Sequence, residues 1–324
     1  MKPSAELRVL FRAPAGARRG FGHLVRCISL ARAMGVRPLI AVRGSRKAME
    51  VGLALGADVL ASATSRSIAR VHPDVVVIDD PSASHAQRWI AAARRAGALV
   101  VTVHDLGMGC ADGDLVVDGS IANAARGRHV SLSGTRFAIL DAQYSRRSGA
   151  PQRRTVAQKN KQILIALGGG PHATTAAAIA RAIVAADPEA QVRIAGGFVA
   201  PPRPVAPRVT WVAARRGLGQ ELAGADVAIV GGGVSLYEAC AMGVPAVALP
   251  VVDGQVPTVR AFAKRGAAIG LGHGAAVTKA ATEAVALLNN PHQRQALRRH
   301  SMRLIDGLGA SRTAAAVAAL SQGN

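Results

Sequence analysis

The stretch from Ala225 to Gln255, ADVAIVGGGVSLYEACAMGVPAVALPVVDGQ, limits what this chain can fold into more than any other. Val227 to Val230 is a short apolar run that stops at Gly231, Gly232 and Gly233. That pattern suits a buried parallel strand ending in a tight turn. A helix is expected next. Ser235 and Glu238 have the spacing of a capping box, and Leu236, Ala239, Cys240 and Met242 supply an apolar face. Gly243 fits the C-terminal stop, and Pro245 cannot continue a helix. Glycines ahead of a helix N-terminus let backbone N–H groups approach an anion, and the helix dipole favours negative charge there. A diphosphate is the expected guest.

These residues resemble the C-terminal half-site of the two-domain GT-B nucleotide-sugar enzymes at Gly232, Gly233, Ser235, Glu238, Gly243, Pro245 and Gln255. The resemblance implies that the Gly/Ser loop holds the diphosphate, that Glu238 holds the ribose, and that Gln255, at the end of a nearby loop, is a further contact to the nucleoside diphosphate. Read by its spacing alone, Glu238 could equally cap its own helix.

A second constellation lies near the start of the chain. Leu7 to Phe11 reads as a strand, and a glycine-rich segment joins it to a helix beginning near His23, with Leu24, Ile28, Leu30, Ala31 and Met34 on an apolar stripe. Gly20 and Gly22 flank Phe21, leaving the backbone before His23 free to turn tightly; Arg18 and Arg19 lie in the same loop. A histidine in the first turn of a helix sits near the positive dipole end, which favours a neutral ring able to accept a proton. It could also do no more than bond backbone at the helix entry. The segment resembles the first loop of the UDP-sugar hydrolases of the pseudaminic-acid pathway and their relatives in spore-coat polysaccharide synthesis, through Gly20, Gly22, His23, Arg26, Cys27, Leu30 and Ala31. That resemblance implies His23 as general base and Gly22 as part of the nucleotide site. The family's Arg-Ala-Asp after the first strand reads Arg12, Ala13, Pro14 here, so the loop before Gly20 is expected to differ.

Other candidates follow in chain order. Val75 to Ile78 is a buried strand whose C-terminal end presents Asp79 and Asp80, where ligands of parallel sheets bind. These carboxylates are also suited to capping the next helix. Through the resemblance, Asp79 and Asp105 are candidate sugar contacts, with His104 beside Asp105. The four residues together could suggest a metal pocket, but they lack ligand spacing and no metal or other cofactor is expected. Gly134, Phe137, Ala138, Ile139 and Leu140 resemble a family turn. A polar, basic run from Arg146 to Gln162 is the expected interdomain linker. Beyond it, a strand from Ile163 to Leu167 leads to a second glycine loop, in which Gly168 and Gly169 are candidate nucleotide contacts. The resemblance implies that Val212 and Ala213, after a later strand, lie against the base, and the run from Ile305 to Arg312 resembles the family's lead into a terminal helix.

Strands and helices alternate on both sides of the linker, so the expected fold is α/β, two facing Rossmann-like doubly wound domains in the GT-B arrangement. Residues 1–147 would form the domain of the acceptor and catalytic base. Residues 160–324 would bind the nucleotide-sugar, with the terminal helix packing back on the first domain. The 40 Lys plus Arg against 19 Asp plus Glu give a formal net charge of +21, which points to an anionic partner or to a basic, arginine-rich composition. Aromatics make up 3%, and no nucleic-acid motif appears, so a nucleotide-sugar or an anionic membrane surface is favoured over nucleic acid; the resemblance implies a UDP-sugar as the donor. No apolar run reaches the length of a membrane span and no secretory leader is read after Lys2, so a cytoplasmic protein is expected. Cys27, Cys110 and Cys240 have no metal spacing and are expected as reduced, mostly buried thiols. The expected reaction is hydrolysis of a nucleotide-sugar, with glycosyl transfer from a UDP-sugar and a silent, nucleotide-sugar- or polyanion-binding role as alternatives. Gly254 stands where the resembling hydrolases carry an asparagine.

Overall fold

A computed structural model describes residues 7–16, 20–60, 64–104, 112–122, 130–145, 161–168, 171–196, 205–214 and 217–322. Most of the expected linker, together with Arg18, Arg19, Asp105, Cys110, Gly169 and Gly170, lies outside the described residues. The chain divides into two compact units: Met1–Ala142 with Leu308–Asn324, and Gln143–Gly307.

Among the described residues, the first unit is built on seven parallel strands: β1 (Val9–Ala15), β2 (Leu39–Gly44), β3 (Asp58–Val59), β4 (Val75–Ile78), β5 (Leu99–His104), β6 (Leu115–Asp118) and β7 (Val130–Ser133). Their order across the sheet is β3-β2-β1-β4-β5-β6-β7. β1 and β4 are neighbours in register, Leu10 opposite Val76, although two strands separate them in sequence. Every residue of β1, β4 and β5 is buried, which is why these strands read as near-continuous Val, Ile and Leu: both faces of a parallel sheet are covered by helices. One face is covered by α3 (Ser67–Val71) and α4 (Ala83–Arg95), where Leu10, Ala41, Val76, Ile78, Trp89 and Ile90 form a single cluster. The helix α1 (Gly22–Ala33) packs on β1, and α11 (Gly309–Gln322), the last helix of the chain, packs on α1. Gly309 makes that return close-fitting: a Cβ there would fall within 2.6 Å of the Ala138 carbonyl carbon.

The second unit has, among the described residues, six parallel strands: β8 (Gln162–Ala166), β9 (Gln191–Ala195), β10 (Val209–Val212), β11 (Val227–Gly231), β12 (Ala246–Leu249) and β13 (Ile269–Gly270). Their order is β10-β9-β8-β11-β12-β13. Here too the first strand pairs with a later one, Ile163 opposite Val227. The helices α5 (Ala173–Ala186) and α9 (Val277–Leu288) bury Ile179, Ile183, Ala284 and Leu287 against Ile163, Ile165, Val227 and Ile229.

In each sheet the order reverses at one place, between β1 and β4 in the first unit and between β8 and β11 in the second. Connections leaving two such neighbours run to opposite faces, so a crevice opens beyond their C-terminal ends. His23 and Asp79 follow the strands of the first reversal, and Gly168 and Gly232 those of the second, whereas Val212 ends the edge strand β10.

Candidate functional site

In the first unit, Gly22 is the first residue of α1 and His23 the second, so the imidazole stands at the entry of the helix that follows β1. Asp79 follows β4 on the other side of the reversal. Its carboxylate oxygen Oδ1 lies 2.8 Å from His23 Nδ1. Arg26, one turn along α1, donates from Nε to Asp79 Oδ2 at 2.9 Å and from Nη2 to Oδ1 at 2.8 Å. Residues three apart on a helix share a face, so α1 presents His23 and Arg26 together to the one carboxylate.

Arg26 Nη2 also lies 2.9 Å from His23 Nδ1, and a single nitrogen cannot accept from arginine while donating to aspartate. Charge decides between the two contacts. A carboxylate beside Nδ1 requires a proton on that nitrogen, so Nδ1–H donates to Asp79, and Arg26 crowds in because both donors converge on Oδ1. This leaves Nε2 as the acceptor of the ring. Burial alone would raise the pKa of Asp79, but the charges of Arg26 and His23 and their hydrogen bonds outweigh it and hold the group down at about 2. The acid is therefore ionised across the physiological range.

Asp79, a candidate sugar contact by resemblance, is engaged within the protein. It is 1% exposed, both oxygens are occupied, and its neighbours are the side chains of α1. It lies against the His23 ring. Asp80 behaves differently again: Arg43 grips it through Nε at 3.0 Å and Nη2 at 2.6 Å, the buried Arg12 lies 3.5 Å away, and its Oδ1 accepts from the N–H of Ser82 at the entry of α4. Arg12 is itself stacked over Trp89, and burial brings its pKa down to about 10, with Asp80 opposing and Arg43 assisting. Sequence reasoning did not single out Arg43, and noted Arg12 only in a motif comparison, because each meets Asp80 only across the sheet. Arg26 had been noted only as a motif match. Its spacing from His23 was the one local signal of the shared face.

In the second unit, β11 runs into the glycines and then into the helix α7 (Val234–Ala241). The capping box expected of Ser235 and Glu238 does not form. Gly233 is the N-cap, no side chain caps the helix, and Ser235 is already its second residue. The spacing of a capping box is also an i, i+3 spacing inside a helix, which explains the misreading. Glu238 sits within α7 at 6% exposure.

Gln255 has an unforeseen task. Its Oε1 accepts from the backbone N–H of Gly232 and from that of Val251, both at 3.0 Å. Two N–H donors on one atom fix the amide orientation, since the flipped amide would set NH₂ against both. Gly232 is pinned beneath it: a Cβ would fall 2.7 Å from Val259 Cγ2 and 2.9 Å from Gln255 Cβ. The N–H of Gly232 is thus already engaged, and the donors that the helix geometry leaves open are those of Val234 and Ser235. Gly168 follows β8 at the same reversal, exposed and with φ +101°, and Val212, half-buried, ends β10. Cys27 and Cys240 are buried free thiols. No helix among the described residues is long and apolar enough to cross a membrane.

No family model matches the chain. A 93-residue segment is 39% identical to the spore coat polysaccharide biosynthesis protein SpsG of Bacillus subtilis (strain 168), a match covering 28% of this chain and 27% of that protein. Among solved structures, the spinosyn forosaminyltransferase SpnP aligns with 98% of this chain and 100% of its own at 15% identity and a TM-score of 0.66. MurG of Acinetobacter baumannii aligns over 98% and 100% at 15% identity and a TM-score of 0.57. The MnaA–UDP co-structure from S. aureus aligns over 97% of each chain at 12% identity and a TM-score of 0.61. Two parallel-stranded α/β units, each with a single reversal of strand order, thus give this chain the GT-B fold of the glycosyltransferases it superposes on.

Proposed function

We propose that this chain is an enzyme of surface-polysaccharide synthesis that uses a nucleotide-sugar donor and transfers its sugar to an acceptor hydroxyl. The observation that carries the reading is the His23–Asp79 pair, in which a buried, ionised carboxylate fixes the Nδ1–H tautomer and leaves Nε2 to take a proton. In the proposed step, Nε2 accepts the proton of the acceptor hydroxyl as that oxygen bonds to the anomeric carbon. The bond from that carbon to the diphosphate breaks, and its electron pair leaves on the diphosphate. The N-terminus of α7, with its open donors at Val234 and Ser235 and its dipole, supports binding of that anion in the second unit. Glu238 and Val212 are proposed at the ribose and the base. UDP is the favoured nucleotide because the MnaA structure, which has the same fold, was solved with UDP.

Water in place of the acceptor is the second reading. It is supported by the match around His23, Arg26 and Cys27 to the UDP-sugar hydrolases and opposed by Gly254 in place of their asparagine. An anionic membrane surface is proposed as a further partner on the strength of the +21 charge.

The test is to incubate the full chain with a panel of UDP- and CMP-sugars, with and without sugar acceptors, and to follow free nucleotide. Nucleotide release that requires an acceptor supports transfer, and release in its absence supports hydrolysis. Binding of UDP with no release from any donor overturns the catalytic assignment. Cosedimentation with anionic but not neutral vesicles, lost in high salt, tests the membrane partner.

A further inference from the structure

A buried carboxylate beside an imidazole has two effects that pull in opposite directions. It orients the ring and selects the tautomer, and it also stabilises the imidazolium, which is no longer a base. An opposite charge at hydrogen-bond distance commonly moves a titration by about 1–3 pH units. An uncompensated, buried Asp79 would therefore favour the protonated form of the ring.

Arg26 meets that difficulty geometrically. Its guanidinium takes both oxygens of Asp79, Nε on Oδ2 and Nη2 on Oδ1, and Oδ1 is the same oxygen that receives His23 Nδ1. Planar, two-point contact of this kind is the strong form of the arginine–carboxylate pair. The charges meeting His23 among the described residues are then Arg26 from its own helix and Asp79 from the end of β4, and they are of opposite sign. The Cys27 thiol, buried beside them, is kept neutral by its burial and by the charge of Asp79. Asp80, the next residue in the chain, is compensated by Arg12 and Arg43.

We propose that Arg26 is a positioning residue for the reaction: by clamping Asp79 it lets the carboxylate hold the Nδ1–H of His23 without drawing a second proton onto the ring. The inference rests on His23 being the base of the proposed reaction, and it is tested by a measurement that needs no substrate.

The experiment is an NMR titration of the His23 ring in the full chain, assigned by the signal lost in His23→Ala. It compares the unaltered protein with Arg26→Gln, Asp79→Asn and the double variant. Arg26→Gln leaves the carboxylate alone, and the midpoint of the titration is expected to rise by about one pH unit or more. Asp79→Asn leaves the guanidinium alone, and the midpoint is expected to fall. The double variant carries neither charge and is expected near the unaltered protein. Should Arg26→Gln fail to fold, the difference between Asp79→Asn and the double variant reads the charge of Arg26 directly. A clamp that served folding only would lower the melting temperature and leave the three midpoints together, or move them all the same way; either result overturns the proposal. Arg26→Lys adds a geometric readout. It keeps the charge but not the two-point grip, so it should hold the midpoint while lowering kcat. If the midpoints separate as expected and no donor is turned over, the proposed function fails and the clamp stands. If turnover depends on His23 and the midpoints do not separate, the reverse holds.

Discussion

The two strand-order reversals have the same geometry and opposite chemistry. At the first, the groups in contact are side chains with charge: an imidazole, a carboxylate and a guanidinium brought together from α1 and the end of β4. At the second the turn is held by uncharged, largely backbone groups: the N–H groups of Gly232 and Val251 gathered on the amide oxygen of Gln255, ahead of a helix capped by a glycine. A parallel sheet offers the same crevice at both places. What fills its rim determines whether the crevice suits moving a proton or holding an anion. If that division is correct, damage at the first reversal should spare nucleotide binding, and damage at the second should weaken it.

The largest expected effect is at the first. His23→Ala should lower kcat by about 10²–10⁴-fold, the usual contribution of a general base, while UDP affinity by calorimetry changes little. Loss of UDP binding in this variant would break the contrast between the reversals.

Gly232→Ala should act on the second. The new methyl has Val259 Cγ2 at 2.7 Å on one side and Gln255 Cβ at 2.9 Å on the other, so the turn must move. Overpacking of this kind costs about 1–3 kcal/mol, readable as a shift of the denaturant midpoint. UDP affinity should fall with it, because the clamp that shapes the turn is displaced.

How much of this was legible in the sequence differs between the two reversals. The strands were readable because parallel sheets bury both faces and leave long apolar runs, as in VVVI before Asp79 and VAIV before Gly231. The entry of α1 at Gly22 and His23 was readable from the glycines and the apolar stripe that follows. The partners were not. Asp79 was expected to face a ligand or cap α4, and it lies against His23 because β1 and β4, far apart in sequence, are neighbours in the sheet. Ser235 and Glu238 have a spacing that fits a cap or a helix interior equally well, and only the conformation of Gly233 shows which applies. Gln255 was read as a ligand contact, yet its oxygen is bound to the turn it was expected to help, a contact made across a loop that local patterns do not encode.

A smaller effect concerns stability at the first reversal. The pKa of Asp79, about 2, lies below the ordinary carboxylate value near 3.8, so the folded state binds the proton less well than the unfolded one. Stability from this group is therefore fully present above about pH 4 and is lost as pH falls towards 2. The displacement corresponds to about 2 kcal/mol. Asp79→Asn should accordingly be less stable than the unaltered protein at pH 7, and the gap should close in acid melts. A gap that stays constant down to pH 2 would mean that the charge of Asp79 contributes nothing to stability.

The smallest effect is the most discriminating at the second reversal. Gln255→Ala strips an acceptor from two backbone N–H groups that are only partly buried, and water replaces it in part, so about 1 kcal/mol of stability should be lost. Gln255→Glu separates shaping from binding. The carboxylate keeps an oxygen for the N–H groups of Gly232 and Val251, so the melting temperature should hold or rise slightly, with the negative charge favoured near the start of α7. The same charge would then repel a diphosphate at the open amides of Val234 and Ser235, and UDP affinity should drop by about tenfold, which is ~1.4 kcal/mol. A Gln255→Glu variant that melts normally and binds UDP as before would place the nucleotide away from this helix tip, and the assignment of the second reversal as the anion cradle would have to be abandoned while the proton chemistry of the first stood.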